Sequence, residues 1–242
     1  MYNLNNLRVV ILTTKGSTRL INGKPSTYPS FLPEPEIFYG PTPDDNIVVP
    51  DWYKPVSDDK SSYIPGYWCC WLGHIAILRD HYNKYPTKDL LILEDDVAFI
   101  PQFNKAFLNF MKLVPKDWEI IWFGGIHYKK AKEVVRNVLS PNYILNSECI
   151  LYKSTSIPRV INELDPFNGT KRNLIIDQIL SSLHNRFKMY TPICNFAYQD
   201  SNYSYIQNTK RHMKSKYAKR RPFVNLNGYT VRPSTNAIEV YL

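Results

Sequence analysis

Runs of apolar residues, some unbroken and some spaced at helical intervals, alternate along the chain. Arg8-Val9-Val10-Ile11-Leu12-Thr13-Thr14 and Leu90-Leu91-Ile92-Leu93 are continuous and aliphatic, the pattern of strands covered on both faces of a largely parallel sheet. Glu119 to Phe123, Glu148 to Tyr152 and Lys188 to Thr191 predict three more strands. Between them the spacing changes to three and four. Trp71, Leu72, Ile75, Leu78 and Tyr82 predict a helix over 68–85, and Phe103, Phe107, Phe110, Met111 and Val114 predict another that Pro115 closes. Shorter helices are expected near 158–164 and over 173–184, the second with an apolar stripe of Ile176, Ile179, Leu180 and Leu183 and with Asp177 at its edge. Such alternation predicts an α/β fold with a mostly parallel central sheet.

Two regions leave this rhythm. Eight of the 18 prolines fall between Pro25 and Pro55, so 25–65 reads as a loop region that walls or covers a site. The second is basic: beyond residue 200, eight Lys and Arg side chains stand against Glu239 alone, in a chain whose formal net charge is +9. That tail calls for an anionic partner, whether a diphosphate, a nucleic acid or an acidic glycan. At 242 residues the length fits one domain of generous size, here 1–206, with a basic extension over 207–242. No apolar run is long enough for a membrane helix and the first residues lack a signal-peptide pattern, so a soluble, cytoplasmic protein is expected. The four cysteines lack zinc-type spacing and read as buried free thiols. Oligomeric state is not legible.

The chemistry concentrates where the Leu90–Leu93 strand runs into Glu94-Asp95-Asp96. Parallel sheets bind ligands beyond the carboxyl ends of their strands. Strand alternation would point Glu94 and Asp96 one way and Asp95 the other. Paired carboxylates suit a hard divalent ion, Mn²⁺ or Mg²⁺, of the kind that holds a nucleotide diphosphate; a solvated acidic turn would show the same letters.

The order of motifs resembles glycosyltransferase family 25, the lipooligosaccharide and collagen sugar transferases of GT-A fold. Gly66-Tyr67-Trp68-Cys69-Cys70-Trp71-Leu72-Gly73-His74 is similar to the family's G-x-x-G-C-x-x-S-H helix start, and Leu93-Glu94-Asp95-Asp96 to its L-E-D-D. Trp118 to Gly124, Ile176-Asp177-Gln178 and Gln199 to Ile206 follow in the family's order. Cys69, Gly73 and Tyr205 depart from the pattern, and the proline-rich segment and basic tail have no counterpart in it.

The resemblance implies a single GT-A-like domain and a metal-dependent transfer of a hexose from a nucleotide-diphosphate sugar, UDP-linked, to a hydroxyl of a glycan or protein, with inversion. It further implies Asp96 as direct metal ligand, with Glu94 on the metal, its water or the ribose. Thr13, Thr14, Arg19, His74, Asp95 and His127 are expected on the donor side, Gln199 and Ser204 on the acceptor side, and Asp177 as general base. Alternatives are a nucleic-acid-binding protein that uses its basic tail, a transferase that glycosylates DNA or RNA, and an inactive relative.

Overall fold

The computed structural model describes residues 2–54, 64–168 and 173–200, with the backbone of Asn225–Leu226 and Tyr229–Thr230. The elements in chain order are β1 (Leu7–Thr13), β2 (Glu36–Tyr39), α1 (Ile64–Lys84), β3 (Asp89–Glu94), β4 (Val97–Phe99), α2 (Phe103–Leu113) and β5 (Ile120–Trp122). Then come β6 (Ile126–His127), β7 (Lys132–Val135), β8 (Val138–Ser140), β9 (Ile144–Leu145), β10 (Cys149–Tyr152), α3 (Ile157–Leu164), α4 (Ile176–Ser182), β11 (Met189–Pro192) and β12 (Ala197–Gln199).

Eight strands form one sheet in the order β2-β1-β3-β10-β5-β11-β8-β7. β10 and β8 run against the rest, each antiparallel to both of its neighbours, and the other six share a direction. The side-chain period of two divides the buried strand residues between two cores. Val9, Ile11, Leu91, Leu93, Ile121 and Leu151 pack on one face with Phe103, Phe107 and Phe110 of α2. Val10, Leu90, Ile92, Ile120, Trp122 and Ile150 face the other way, against Trp68, Trp71, Ile75 and Leu78 of α1 and the apolar stripes of α3 and α4. This is a three-layer α/β architecture, as the apolar pattern predicts.

The proline-rich segment holds more order than its composition predicts. Glu36–Tyr39 pairs in parallel with β1, from Val10 opposite Glu36 to Thr13 opposite Tyr39. Pro35 and Pro41 flank it at the sheet edge, where a missing N–H costs the ladder nothing. Leu12 fastens β1 to its neighbours. Its Cδ1 lies where a Cβ on Gly40 would sit at 2.8 Å and one on Gly73 at 2.9 Å, so two glycines let the strand end and α1 approach from both sides. Across the sheet a β4–β12 ribbon pairs Gln199 with Val97, which sets Gln199 beside the acidic turn.

Arg8 ties the far end of the same layer. Only 6% exposed, it donates to Glu36 Oε2 at 2.6 Å and Asp80 Oδ2 at 2.8 Å and covers the Tyr85 ring at 4.6 Å. Both acids keep some hydration, so Arg8→Ala is expected to cost about 2 kcal/mol, the value of charged hydrogen bonds rather than of a stranded buried charge. In a chain of this size that lowers the thermal midpoint by about 4–8 °C, measurable by circular dichroism. Among the described residues no helix is long and apolar enough to cross a membrane.

Candidate active site

β1 and β3 end side by side, Leu12 opposite Glu94, and their carboxyl ends open onto one cluster of polar side chains. β3 stops at Glu94, and Asp95-Asp96 form a turn rather than a continued strand, so the simple alternation expected for the three acids does not hold. Each carboxylate takes its own surroundings.

Asp95 is bound into the fold. It accepts from Thr13 Oγ1 and Ser17 Oγ at 2.7 Å each, and from Arg19 NH1 at 2.5 Å. The carboxylate therefore shapes the loop after β1 and anchors Arg19, whose NH1 also lies 3.5 Å from Asp96 Oδ2. Thr14 follows with a buried hydroxyl that has no hydrogen-bond partner among the described residues.

Glu94 points towards α1. Its Oε1 lies 3.2 Å from His74 Nε2 and accepts from Ser147 Oγ at 2.5 Å. His74 falls on the buried face of α1 because it shares the Trp71, Ile75 and Leu78 side of the helix, and it is fully buried. One turn earlier on that helix is Cys70, partly exposed, where the sequence predicts only buried thiols.

Asp96 has a side chain 9% exposed. Gln199 Nε2 donates to its Oδ2 at 2.8 Å, while Oδ1 is buried with no hydrogen-bond partner among the described residues. Burial, and after it the charge of Glu94, push the Asp96 carboxyl up to about 7 from an ordinary 3.8; the Arg19 guanidinium opposes this.

Asp177 enters from the first turn of α4 and accepts from the backbone N–H of Asn146 at 3.0 Å. Burial and then Glu94 raise its pKa, with His74 near enough to act the other way. Asn146 adopts φ 73°, and its carbonyl accepts from Trp122 Nε1 at 2.6 Å. That left-handed turn presents Ser147 to Glu94 and leads into Glu148.

Glu148 is a buried acid that lies behind the cluster. Its Oε1 accepts from Gly125 N at 2.9 Å, and burial, with Glu94 and Asp96 in electrostatic reach, holds its pKa well above the carboxylate range. A Cβ on Gly124 would meet Glu148 Oε1 at 2.3 Å and the Ala197 carbonyl at 2.8 Å, so glycine is required for this close approach. His127 lies two residues beyond Gly125 in the β6–β9 ribbon. It is fully buried, neither ring nitrogen has a hydrogen-bond partner among the described residues, and burial alone lowers its pKa to about 4.

The fold thus brings together Thr13, Arg19, His74, Glu94, Asp95, Asp96, Asp177 and Gln199. No hydrogen bond joins His127 to them, and Ser204 lies outside the described residues, as does the basic tail apart from its two short strand backbones. Cys70, Ser17, Ser147 and Glu148 are additions. The signal for Cys70 was its four-residue spacing from His74, which places both on one helix face. Ser147 and Glu148 carried none, since a long-range antiparallel pairing sets β10 beside β3.

A groove of about 690 Å³ opens between the end of β2 and α1, lined by Lys15, Phe38, Tyr39, Gly40, Leu72 and Arg79 among others. Tyr39 is 58% exposed there. The whole arrangement can hold a divalent cation. Asp96, Glu94 and Glu148 lie within electrostatic reach of one another near the end of β3, and one buried oxygen of Asp96 lacks a partner among the described residues.

No family model matches the chain. Over 76 aligned residues it is 32% identical to procollagen galactosyltransferase 2 of Mus musculus, a stretch that takes in 29% of this chain and 12% of that protein. The chain is similar in sequence to a sugar transferase. A solved glycosyltransferase involved in the glycosylation of the major capsid of PBCV-1 aligns with 76% of this chain and 80% of its own, at 12% identity and a TM-score of 0.42.

Proposed function

We propose that this chain is a divergent glycosyltransferase that moves a hexose from a UDP-linked sugar to a hydroxyl of a glycan or protein, with inversion at the anomeric carbon. The observation that carries this reading is the convergence of Glu94, Asp96, Arg19, His74 and Asp177 at the carboxyl ends of β1 and β3. The similarity to a galactosyltransferase over 76 residues supports the same reaction class.

In this reading Asp96 and Glu94 hold a manganese or magnesium ion, which when bound offsets the negative charge that grows on the departing diphosphate. The partnerless oxygen of Asp96 supplies a ligand, and Gln199 on the other oxygen fixes the carboxylate's orientation. Arg19, held by Asp95, adds a fixed positive charge on the diphosphate side. Asp177 takes the proton of the acceptor hydroxyl as its oxygen bonds to the anomeric carbon. The bond from that carbon to the phosphate oxygen breaks, and the nucleoside diphosphate leaves with the electron pair. A carboxyl whose pKa is raised is a stronger base than a surface aspartate, which suits this task.

The groove beside β2 takes the nucleoside, with the exposed Tyr39 ring against the base. Base stacking on an aromatic contributes about 1–3 kcal/mol, so Tyr39→Ala is expected to weaken UDP binding about tenfold without lowering the melting temperature of the free protein. Titration calorimetry measures the first and thermal unfolding the second.

A thermal-shift screen of UDP, GDP, CMP and their sugars, each with and without Mn²⁺, tests the reading as a whole. Stabilisation by UDP that requires the metal supports it. If no nucleotide stabilises the protein in any metal, the transferase reading fails.

A further inference from the structure

Cys70 and His74 stand one turn apart on α1, and the helix sets both against the end of β3, where Glu94 closes the strand. The sulfur of Cys70, a ring nitrogen of His74 and a carboxylate oxygen of Glu94 all lie within 4.8 Å of one another. His74 Nε2 and Glu94 Oε1 are 3.2 Å apart. Nitrogen and oxygen ligands bound at roughly 2.0 Å in a tetrahedron sit about 3.3 Å from each other, so this pair already has the separation that such an ion imposes. Cys70 and Glu94 are both partly exposed, which leaves a way in.

We propose that Cys70, His74 and Glu94 form a zinc-binding site. The donor set selects the metal. Thiolate, imidazole and one carboxylate make a borderline-soft trio, whereas manganese and magnesium prefer oxygen throughout. On binding, the Cys70 thiol gives its proton to solvent and the thiolate takes the ion. Three protein ligands leave a fourth position for water. Ser147 Oγ, hydrogen-bonded to Glu94 Oε1 at 2.5 Å, orients the carboxylate as an outer partner does in a metal centre.

The site has a consequence for its neighbour that rests on the transferase reading. Glu94 belongs to both the soft trio and the Glu94–Asp96 pair, so a zinc ion on Cys70 and His74 draws away a carboxylate that the manganese ion needs. Zinc is then an antagonist of the reaction. The zinc site itself does not depend on that reading, and its test uses neither nucleotide nor sugar.

The full chain, stripped with a chelator and kept reduced with a phosphine, is titrated with Zn²⁺ by calorimetry and with Co²⁺ by absorbance. One ion per chain is expected, with a sulfur-to-cobalt charge-transfer band and the visible envelope of a tetrahedral cobalt centre. Cys70→Ser should abolish the band and weaken zinc binding at least about tenfold, as should His74→Gln. Cys69→Ser, at the neighbouring buried thiol, should change neither. Zinc should also shield Cys70 of the unaltered protein from iodoacetamide, read by mass spectrometry of its peptide, which keeps the test decisive if a variant fails to fold. No zinc binding, zinc binding that survives Cys70→Ser in a folded variant, or alkylation of Cys70 at an unchanged rate would each overturn the proposal. The last outcome would leave His74 and Glu94 as an ordinary hydrogen-bonded pair.

Discussion

Asp96→Asn is expected to abolish the metal-dependent part of nucleotide stabilisation and to lower turnover about 10³-fold, while making the metal-free protein more stable at pH 8. The two effects have one origin. Asp96 is buried beside Glu94 and held up to about 7, so its charged form is costly until a cation offsets it. Loss of the ligand removes several kcal/mol of stabilisation from the departing diphosphate, which sets the scale of the kinetic effect. The sign of the stability effect follows from proton counting. Between the ordinary value of 3.8 and about 7 the folded chain holds a proton on Asp96 that the unfolded chain has lost. Stability from this group is therefore complete at low pH and declines as pH rises through that window. Asparagine cannot ionise, so the variant keeps at pH 8 what the parent has lost, and a gain of about 4–8 °C in melting temperature would correspond to ~2 kcal/mol in a chain of this length. Thermal unfolding from pH 4 to 8, with and without Mn²⁺, checks both halves. A variant less stable than the parent at pH 8 without metal would mean that Asp96 is satisfied within the fold and is not held in readiness for a cation.

Such tension between stability and charge is visible in the sequence only at its centre. An aliphatic run ending in three acids announces a buried strand with carboxylates at its carboxyl end, and both are present in β3. The long helices were equally legible, because their apolar stripes repeat over several turns. What the letters could not carry was pairing over distance. Nothing local marks β10 as running against β3, yet that pairing places Ser147 and Glu148 beside Glu94. The short strand β2 was hidden by flanking prolines, whose effect on a sheet depends on whether the strand lies at an edge. The division of labour among the acids was hidden as well. Asp95 satisfies the loop after β1 while Asp96 keeps an oxygen without a partner, a difference set by Thr13 and Ser17 donating to Asp95, with Arg19 at 2.5 Å from Asp95 and 3.5 Å from Asp96. Spacing among cysteines gave no reason to single out Cys70. Its four-residue spacing from His74 put both on one helix face, but the approach of that face to Glu94 is a property of packing.

Asp177→Asn should separate binding from chemistry where Asp96→Asn removes both. The amide oxygen of asparagine can still accept from the Asn146 N–H, so the left-handed turn that presents Ser147 survives the exchange. Donor and metal then bind as before, and the nucleotide-dependent thermal shift is retained. What is lost is a carboxylate able to take the acceptor's proton, a contribution of about 10²–10⁴ in kcat with little change in the Michaelis constant for the donor. Asp177→Ala is the useful contrast. It removes the base and the acceptor of the Asn146 N–H together, so it should lower stability as well as turnover. The pH profile adds a second reading. If Asp177 must be ionised to act, the parent's rate rises with pH through the raised pKa of this partly buried acid, and the residual rate of Asp177→Asn lacks that limb. Turnover within about threefold of the parent in Asp177→Asn would move the base elsewhere. Glu94 would then be the first carboxylate to test, because it is partly exposed, whereas Glu148 lies buried behind the Gly124–Gly125 backbone.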